Sequence, residues 1–482
     1  MRIDRRSLVG LAAATAAGAD KALAQVAAAP ASSPVAAPPP VTRILAKYVV
    51  GATYAGLPAN VRREGVRSLT NWVGVAVGGS RHETVDNAVR ALSPFSGPAQ
   101  AQLLGRRERM DISNAAFING VASHIFDFDD THLKTIIHPA GPVASAILAL
   151  AEYHPVAGTE FLNAFILGME AECRMGNAVY PEHYTMGWHI TGSCGPFGSA
   201  VACGKLLGLN EQQMTWAIGI AASQPVGMKT QFGTMTKSFH PGRAAQNGLM
   251  AALLAQAGYT ASEVALEGKD GWAQAVSTRV DWREVTEGLG TRYEAALNTY
   301  KPFACGIVMH PAIDAAIQLR NENHLTGAEI EQAELHCNPL VTALTGKTDP
   351  QTGLEAKFSI YQAIAVAILE GAGGERQFSD RLARDPAAIA LRKRVTLKLD
   401  PAVPAETCDL TLRLKDGRVL TRHIKEAIGS TTNPMTDPAL DAKFTDLARG
   451  ILTPAKTTRL IALCRGVEGL KDAGAIARAA RV

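Results

Sequence analysis

The spacing of apolar residues changes near Val276 in this 482-residue chain and changes back after residue 430. Over residues 42–275, apolar residues recur every three or four positions, as in helices that bury one face. Over residues 276–430, segments such as DLTLRLKDGRVLTRHI alternate apolar and polar residues, as in half-buried strands, with helices between them. Helical spacing returns over residues 431–482. We therefore expect a mostly α protein with a large all-helical domain and a smaller α+β domain. The C-terminal helices would return to the helical domain and make it discontinuous.

Two local patterns add detail to this expectation. In SNAAFINGVASHIFDFDD, one helical face carries only small residues and then polar ones, so another element could approach it closely. That face consists of Ala116, Gly120, Ser123, Asp127 and Thr131. In the α+β segment, the Asp-Gly pair at 416–417 is a hairpin-turn signal between two alternating runs.

The N-terminus has the features of an export signal. Arg5 and Arg6 precede a short, weakly apolar stretch rich in alanine, and residues 22–24 (ALA) fit a small-x-small cleavage site. We expect residues 1–25 to be a twin-arginine signal peptide and the mature protein to be periplasmic; the alternative is an ordinary amphipathic tail. The apolar stretch is too short to span a bilayer, so we expect no stable membrane insertion. Residues 26–41 read as a Pro/Ala-rich linker.

Composition excludes several classes of protein. With 47% hydrophobic and 19% charged residues, the chain is expected to be globular rather than disordered. The formal net charge is only +4, and no lysine- or arginine-rich stripe is interleaved with aromatic residues, so we expect no nucleic-acid partner. The seven cysteines form no CxxC pair and are an odd number, so we expect free buried thiols rather than a disulfide scaffold.

The stretch HIFDFDDTHLKTIIHPAG, residues 124–141, concentrates aspartates and histidines in an otherwise apolar chain. A calcium loop could begin at Asp127, but its sixth position would be His132 instead of glycine and its twelfth His138 instead of glutamate. The HExxH zinc pattern is also missing. We therefore expect no metal at this stretch.

An acid–base site is the better interpretation of this stretch. An imidazole such as that of His138 titrates near working pH, and Asp127 could orient a neighbour or move a proton. The alternative is structural: Asp129 and Asp130 would cap helix ends, and His138 would lie in a turn before a proline.

Three further segments supply cations and imidazoles. His189 precedes the glycine-rich run TGSCGPFG, which lacks P-loop spacing but begins a helix where an anion could bind. Lys237 and His240 lie in TMTKSFHPGRAAQNG, and Lys301 lies in NTYKPFACG. Lysines beside prolines are often solvated loop residues, but together with His138 these groups would suit a substrate with several carboxylates. No nicotinamide, flavin, pyridoxal or iron–sulfur motif accompanies them, so we expect no cofactor.

Five blocks in order resemble the MmgE/PrpD family, and the resemblance runs from about Thr42 to the C-terminus. The blocks are NAAFINGVASHIFDFDDTH…HPAG, WHITGSCGPFGSAVACGKLLGL, MTKSFHPGRAAQNGLMAALLAQAGYT, KPFACG and EAKFS. The family includes 2-methylcitrate dehydratase, cis-aconitate decarboxylase and iminodisuccinate epimerase. The resemblance implies a helical domain with a smaller α+β lid, a site between them, no metal or organic cofactor, and a homodimer.

The resemblance also implies which residues form the site. The decarboxylase positions correspond here to Asp127, Thr131, His138, His189, Lys237 and Lys301, and we add His240 as a carboxylate-binding residue. The gap from Thr131 to His138 is one residue longer than in the decarboxylases, with His132 and Lys134 inside it. A lid tyrosine of the decarboxylase site has no match near residues 344–352.

We therefore expect a lyase that acts on a small di- or tricarboxylate. The histidines would move a proton, the lysines would hold carboxylates, and Asp127 and Thr131 would orient a neighbour. Dehydration of a 2-methylcitrate-like acid is the first expectation. Decarboxylation of a cis-aconitate-like acid or epimerisation of an iminodisuccinate-like acid is the second. A catalytically silent periplasmic carboxylate-binding protein is the alternative from another class.

Overall fold

Helices dominate the computed structural model, which describes residues 38–482. It contains 21 α-helices in this part of the chain. The predicted signal peptide (residues 1–25) and most of the predicted linker (26–41) lie outside the described residues. None of the helices in residues 38–482 is long and apolar enough to cross a membrane.

The first part of the chain is almost entirely helical. Its helices are α1 (Val41–Gly51), α2 (Ala59–Gly79), α3 (Glu83–Leu92), α4 (Ile112–His124), α5 (Ala140–Tyr153), α6 (Gly158–Val179), α7 (Glu182–Thr185), α8 (Ile190–Leu206), α9 (Glu211–Ala222), α10 (Thr236–Gln256), α11 (Trp272–Val276) and α12 (Arg283–Thr286). The long helices α5, α6, α8 and α10 are alanine- and glycine-rich, and most of their residues are buried. They form the central bundle of the protein.

Small residues set the distance between α4 and α10. A Cβ atom added at Gly120 would lie 2.5 Å from the Cα of Gly242, and one added at Gly242 would lie 2.5 Å from the carbonyl oxygen of Phe117. The small face predicted on α4 is thus where α10 approaches. This contact matters for the site because α4 ends at His124 and α10 carries Lys237 in its first turn.

Two short antiparallel ribbons lie in or beside the helical part. Strands β1 (Ala101–Gln102) and β2 (Arg109–Met110) form the first. The second pairs β3 (Asp130–His132) with β4 (Asn298–Tyr300), with Thr131 opposite Thr299. This second ribbon brings Lys301, the residue after β4, beside the aspartate-rich segment before β3.

A four-stranded sheet forms the second part of the fold. Its strands are β5 (Ile330–Cys337), β6 (Val395–Leu399), β7 (Cys408–Leu414) and β8 (Val419–Ile424), in the order β6-β5-β7-β8. Strands β5 and β6 are parallel and the other pairs are antiparallel. Every second residue of β7, from Cys408 to Leu414, is buried. The predicted Asp-Gly hairpin turn joins β7 to β8, with Gly417 at a φ of 89°.

Helices accompany this sheet and then return to the first part of the chain. Those around the sheet are α13 (His310–Asn323), α14 (Leu340–Thr345), α15 (Gly353–Ala356), α16 (Ile360–Glu370), α17 (Asp380–Ala383) and α18 (Pro386–Arg392). The last helices are α19 (Asp437–Ala448), α20 (Pro454–Arg465) and α21 (Ala475–Ala479). The fold class, mostly helical with a smaller α+β part, is confirmed. Residues 40–482 form one packed unit, so the boundaries at 275 and 430 stay predictions.

Helix α19 closes the fold against α2. The ring of Phe444 lies where a Cβ atom at Gly74 would be only 2.8 Å away. The preceding residue, Lys443, is buried, and its Nζ donates to the carbonyl oxygens of Phe128 (2.6 Å) and Lys301 (2.9 Å). A residue near the C-terminus therefore ties together two loops that carry the candidate site. All seven cysteines are buried and free, as predicted.

Candidate active site

Asp127 is the centre of the candidate site. It follows the end of α4 in a left-handed conformation, with a φ of 50°, which aspartate tolerates better than most residues. Its Oδ1 accepts hydrogen bonds from the Nζ of Lys237 (2.8 Å) and the Nζ of Lys301 (2.7 Å). Burial opposes ionisation, but the charges of the two lysines hold the pKa of Asp127 well below its usual range. One carboxylate thus aligns two buried ammonium groups.

The two lysines differ in their affinity for the proton. Burial lowers the pKa of Lys237, and the attraction of Asp127 does not offset it fully. Burial also acts on Lys301, but Asp127 and Asp129 outweigh it and raise the pKa of that ammonium. Lys301 is therefore the fixed cation of the pair, and Lys237 gives up its proton more readily.

A histidine–aspartate pair lies behind Lys237. The Nε2 of His124 is 3.0 Å from the Nζ of Lys237, and its Nδ1 is 2.5 Å from the Oδ2 of Asp129. Because an ammonium group can only donate, the hydrogen of the neutral imidazole lies on Nδ1 and points to Asp129. Burial lowers the pKa of His124 in spite of the nearby carboxylate, so the ring is neutral near pH 7. This pair positions Lys237.

His138 presents an unprotonated nitrogen to the site. Its Nδ1 is 2.7 Å from the carbonyl oxygen of Asp130 and 3.2 Å from the Oγ1 of Thr131. A carbonyl only accepts, so Nδ1 carries the hydrogen and Nε2 is the free lone pair. Burial lowers the pKa of His138 to about 3, which keeps the ring neutral. The arrangement is that of a general base.

Asp130 ties the segment before His138 to two neighbouring elements by hydrogen bonds. Its Oδ2 accepts from the backbone nitrogen of Ala140 (3.0 Å), at the start of α5, and from the Nδ2 of Asn298 (2.7 Å). Burial, reinforced by the charge of Asp129, raises the pKa of Asp130 to about 7. Burial opposes the ionisation of Asp129 as well, but His124 and His138 lower its pKa. The two neighbouring carboxyl groups thus differ in protonation: Asp129 is charged, and Asp130 is readily protonated.

His189 and His240 form a second imidazole pair. His189 is the residue before α8, and its Nδ1 lies 2.8 Å from the Nδ1 of His240. The edge of the His189 ring also meets the face of Phe232, with ring centroids 5.1 Å apart. Both histidines are buried, but only His189 lines the cavity.

These groups surround one small cavity that opens to solvent. Its polar side consists of Asp127, His138, His189, Lys237 and Lys301. The remaining lining is mostly apolar and consists of Ile136, Tyr184, Phe232, Gly306, Ile307, Val308, Leu344, Thr345 and Phe358. Leu344 and Thr345 belong to the segment in which the lid tyrosine has no match, and Tyr184 is the tyrosine that lines the cavity.

Of the seven predicted site residues, five line this cavity and two act from behind it. Thr131 contacts the Nδ1 of His138, and His240 contacts the Nδ1 of His189, so neither is placed to bind a carboxylate directly. Sequence reasoning missed His124 as a site residue and took Asp129 for a possible helix cap. The available signal was their place in the same aspartate- and histidine-rich stretch.

The extended loop before His138 is held by the two unexpected residues. His132 contacts the Oγ1 of Thr135 (2.7 Å) and the Oε2 of Glu294 (3.0 Å) through its two ring nitrogens. Lys134 pairs with Glu284 on the surface. The loop places Ile136 in the cavity wall with a φ of 62°, a strained conformation for a β-branched side chain.

The same cluster has the donor atoms for a metal, but its charges favour an anion. Ring nitrogens of His124, His138 and His189 lie within 4.8 Å of one another. The ammonium group of Lys237 already contacts the Nε2 of His124, and Lys301 lies beside it. A cation at this position would meet two ammonium groups as well as the carboxylates of Asp127 and Asp129. A substrate carboxylate in the cavity would reach the two ammonium groups, which line it.

Comparisons with known proteins identify the family of the chain. Residues 43–285 match the MmgE/PrpD N-terminal domain, and residues 303–467 match the MmgE/PrpD C-terminal domain. The chain is 26% identical to cis-aconitate decarboxylase of Aspergillus terreus over 446 residues, which cover 86% of this chain and 91% of that protein. It is 26% identical to cis-aconitate decarboxylase of Mus musculus over 458 residues, or 91% and 93% of the two chains. It is 24% identical to 2-methylcitrate dehydratase of Cupriavidus necator over 370 residues, or 68% and 73%. Since both domains match in order over most of its length, the chain belongs to the MmgE/PrpD family.

Proposed function

We propose that this protein is a lyase that removes CO2 from a small unsaturated tricarboxylate of the cis-aconitate type. One observation carries the proposal: a single cavity is lined by two ammonium groups that share one carboxylate and otherwise by mostly apolar side chains. The ammonium groups suit substrate carboxylates that stay. The apolar wall suits the carboxylate that leaves, because a charged group in apolar surroundings is unstable relative to neutral CO2.

The chemistry requires charge stabilisation next to a carboxylate. When CO2 leaves the carbon beside the double bond, the electron pair spreads over the alkene and the carboxylate attached to it. Fixed cations aimed at that developing charge are the groups that lower such a barrier. Lys301, whose positive charge is reinforced by Asp127, is placed for this role, and Lys237 can bind the second carboxylate.

Dehydration, the first expectation from the sequence, becomes the second candidate. The free Nε2 of His138 could remove a proton from a hydroxylated acid, and Lys237 could protonate the departing hydroxyl. The decarboxylases named above, however, match larger shares of both chains than the dehydratase does, which supports decarboxylation as the first candidate.

A substrate screen by NMR in D2O tests the proposal. The purified chain is given cis-aconitate, trans-aconitate, 2-methylcitrate, citrate, malate and iminodisuccinate in separate samples. We expect loss of CO2, with one deuterium in the product, from an unsaturated acid. Loss of water instead would establish dehydration, and inversion with α-proton exchange would establish epimerisation. Carboxylate binding without any turnover would support a silent binding protein.

Three variants test whether the described cavity is the site of turnover. Lys301→Gln and His138→Ala change two of its polar groups, and both should abolish most of the turnover. Lys134→Gln changes a lysine of the neighbouring surface loop, half-exposed and paired with Glu284, and should leave turnover unchanged. Equal activity in all three variants would refute the proposed site.

Export and assembly are separate proposals. We propose that the twin-arginine segment directs the chain to the periplasm and that the mature protein is a homodimer. Replacing Arg5 and Arg6 by lysine should retain the protein in the cytoplasm in a fractionation experiment. Sedimentation of the purified protein at a monomer mass would refute the dimer.

A further inference from the structure

A tight loop precedes His138, and its last residue has an unfavourable backbone conformation. The loop, residues 133–136, lies between His132 and Ile137, which are paired: the backbone nitrogen of His132 donates to the carbonyl oxygen of Ile137 (2.8 Å). Within it, the backbone nitrogen of Ile136 donates to the carbonyl oxygen of His132 (2.8 Å). Ile136 has a φ of 62°. Glycine or asparagine adopts this left-handed conformation readily, whereas a β-branched residue is strained in it.

The residues on either side of Ile136 hold it in this conformation. Thr135 and Ile137 are buried, and both lie against Gly176 of α6. A Cβ atom at Gly176 would collide with the side chain of Ile137 and would come within 3.3 Å of that of Thr135. The ring of His132 contacts Thr135 as well. Strain of this kind persists only where the surroundings fix it, and it is concentrated at ligand-binding sites.

The side chain of Ile136 forms part of the apolar wall of the cavity. Ile136 and Leu344 pack against the same hydrophobic cluster and line the cavity together. Phe232 and Phe358 form the part of the wall next to Lys237: their ring centroids are 5.5 Å apart, and the Nζ of Lys237 is 5.4 Å from each. A substrate whose carboxylates contact the ammonium groups would therefore place its carbon skeleton against these apolar side chains.

The Ile136 side chain has little freedom to move aside for a larger substrate. Branching at Cβ restricts its χ1 angle, and the neighbouring residues fix its backbone. Because the cavity is small, a substituent on the substrate would compete with Ile136 for the same space. Glycine would relieve the strain at this position but would leave that space open. The combination of bulk and strain indicates that filling this space is what the position contributes.

We propose that Ile136 is a specificity-determining residue that excludes acids with an alkyl substituent on their carbon skeleton. This inference rests on the proposed function and narrows its substrate class to unsubstituted tricarboxylates. It favours cis-aconitate over its methyl homologue, and it disfavours acids of the 2-methylcitrate type. One methyl group in an apolar pocket changes selectivity on the order of 10–200-fold, which is the discrimination that we expect.

The binding of two unreactive acids tests this proposal. Propane-1,2,3-tricarboxylate and butane-1,2,3-tricarboxylate differ by one methyl group, and neither has the hydroxyl group or the double bond on which dehydration or decarboxylation depends. In isothermal titration calorimetry, the wild-type protein should bind the propane acid on the order of 10–200-fold more tightly than the butane acid. Ile136→Gly and Ile136→Ala should reduce this ratio to about one. Both variants should also raise kcat/KM on 2-methyl-cis-aconitate relative to cis-aconitate.

Leu133→Ala is the matched control. Leu133 lies in the same loop and is half-buried, but it does not line the cavity, so the affinity ratio of this variant should equal that of the wild type. The two Ile136 variants differ in a useful way. Alanine removes the bulk and keeps the restriction on φ, whereas glycine removes both.

Each outcome supports or overturns the role of Ile136. Equal wild-type affinity for the two acids would overturn it, as would an unchanged ratio in Ile136 variants with wild-type Tm. A change in Ile136→Gly alone, or an equal change in Leu133→Ala, would assign selectivity to the loop backbone and overturn it too. If neither Ile136 variant folds, the wild-type ratio decides. A wild-type protein that releases no CO2 from any acid refutes the proposed function instead, and the binding ratio still reports on Ile136 because neither probe reacts.

Discussion

Replacing Gly120 by alanine is expected to separate the two helices that carry Lys237 and its histidine partner, His124. Gly120 lies one turn before His124 at the end of α4, and Gly242 faces it from α10. The new Cβ atom would be 2.5 Å from the Cα of Gly242, and ordinary contact begins at 3.4 Å. Because the obstacle is backbone, the helices must move apart by about 0.9 Å, the difference between these distances.

The displacement should affect activity more than stability. Overpacking a core costs about 1–3 kcal/mol, and exchanging glycine for alanine within a helix returns up to about 1 kcal/mol. The net loss of about 0–3 kcal/mol is tolerable for a chain of this size. The same displacement lengthens the contacts of Lys237 with His124 (3.0 Å) and Asp127 (2.8 Å). A misplacement of roughly 1 Å can lower the rate on the order of 100-fold.

The assay compares kcat and Tm for Gly120→Ala with those of Gly51→Ala. Gly51 is the last residue of α1, and nothing lies within 4 Å of the added carbon. We expect a folded Gly120→Ala protein with a large loss in kcat and a Gly51→Ala protein like the wild type. A Gly120→Ala protein with wild-type kcat would show that the α4–α10 distance does not set the geometry of the site.

Three further predictions concern single charges. Lys301→Gln should lower kcat/KM on the order of 10²–10³-fold because it removes the fixed cation; a loss confined to KM in steady-state kinetics would contradict a role in charge stabilisation. Asp129→Asn should lower kcat on the order of 100-fold. The new amide would donate a hydrogen bond to the Nδ1 of His124, so the ring hydrogen would move to Nε2, where it would point at the ammonium group of Lys237. Wild-type 15N shifts for His124 in the variant would count against this reasoning. Glu172 is fully buried with both oxygens unpartnered, and burial raises its pKa well above 4.5. Because the pKa of this carboxyl group is higher in the folded than in the unfolded protein, its contribution to the free energy of unfolding is greatest below the unfolded pKa. That contribution falls by up to about 1.4 kcal/mol per pH unit as the pH rises towards the folded pKa. Glu172→Gln should therefore unfold at a higher temperature than the wild type at pH 8 and at a similar temperature near pH 4; a Tm difference independent of pH would refute this assignment.

The sequence predicts local structure well where one period governs a segment. The alternation of β7 and β8, the turn at Asp416-Gly417 and the small face of α4 all follow from side-chain size and spacing alone. The meeting of Lys237 with Lys301 does not, since it depends on the pairing of β3 with β4 and on the close contact of α4 with α10. The resemblance to the family supplied what spacing could not.

The residues that were missed lie where periodicity ends. After His124 the chain leaves the helix, and Asp127 takes a left-handed conformation, so the direction of each following side chain cannot be read from a helical or an extended period. The pairing of His124 with Asp129 arises from that irregular turn. The orientation of His240 away from the cavity depends on the fit of its ring against Gly227, a contact between distant parts of the chain.

The contacts of Lys443 with Phe128 and Lys301 have a consequence for the order in which the protein becomes active during its synthesis. Every side chain of the cavity has been synthesised by residue 358, yet the side chain that holds two of its loops together is that of residue 443. A nascent or prematurely terminated chain would contain all the cavity side chains and still lack Lys443, which holds two of their loops together. Chains ending at residue 436 should therefore be inert towards the acids that the longer chain converts, and chemistry would begin only after the segment that carries Lys443 has been made.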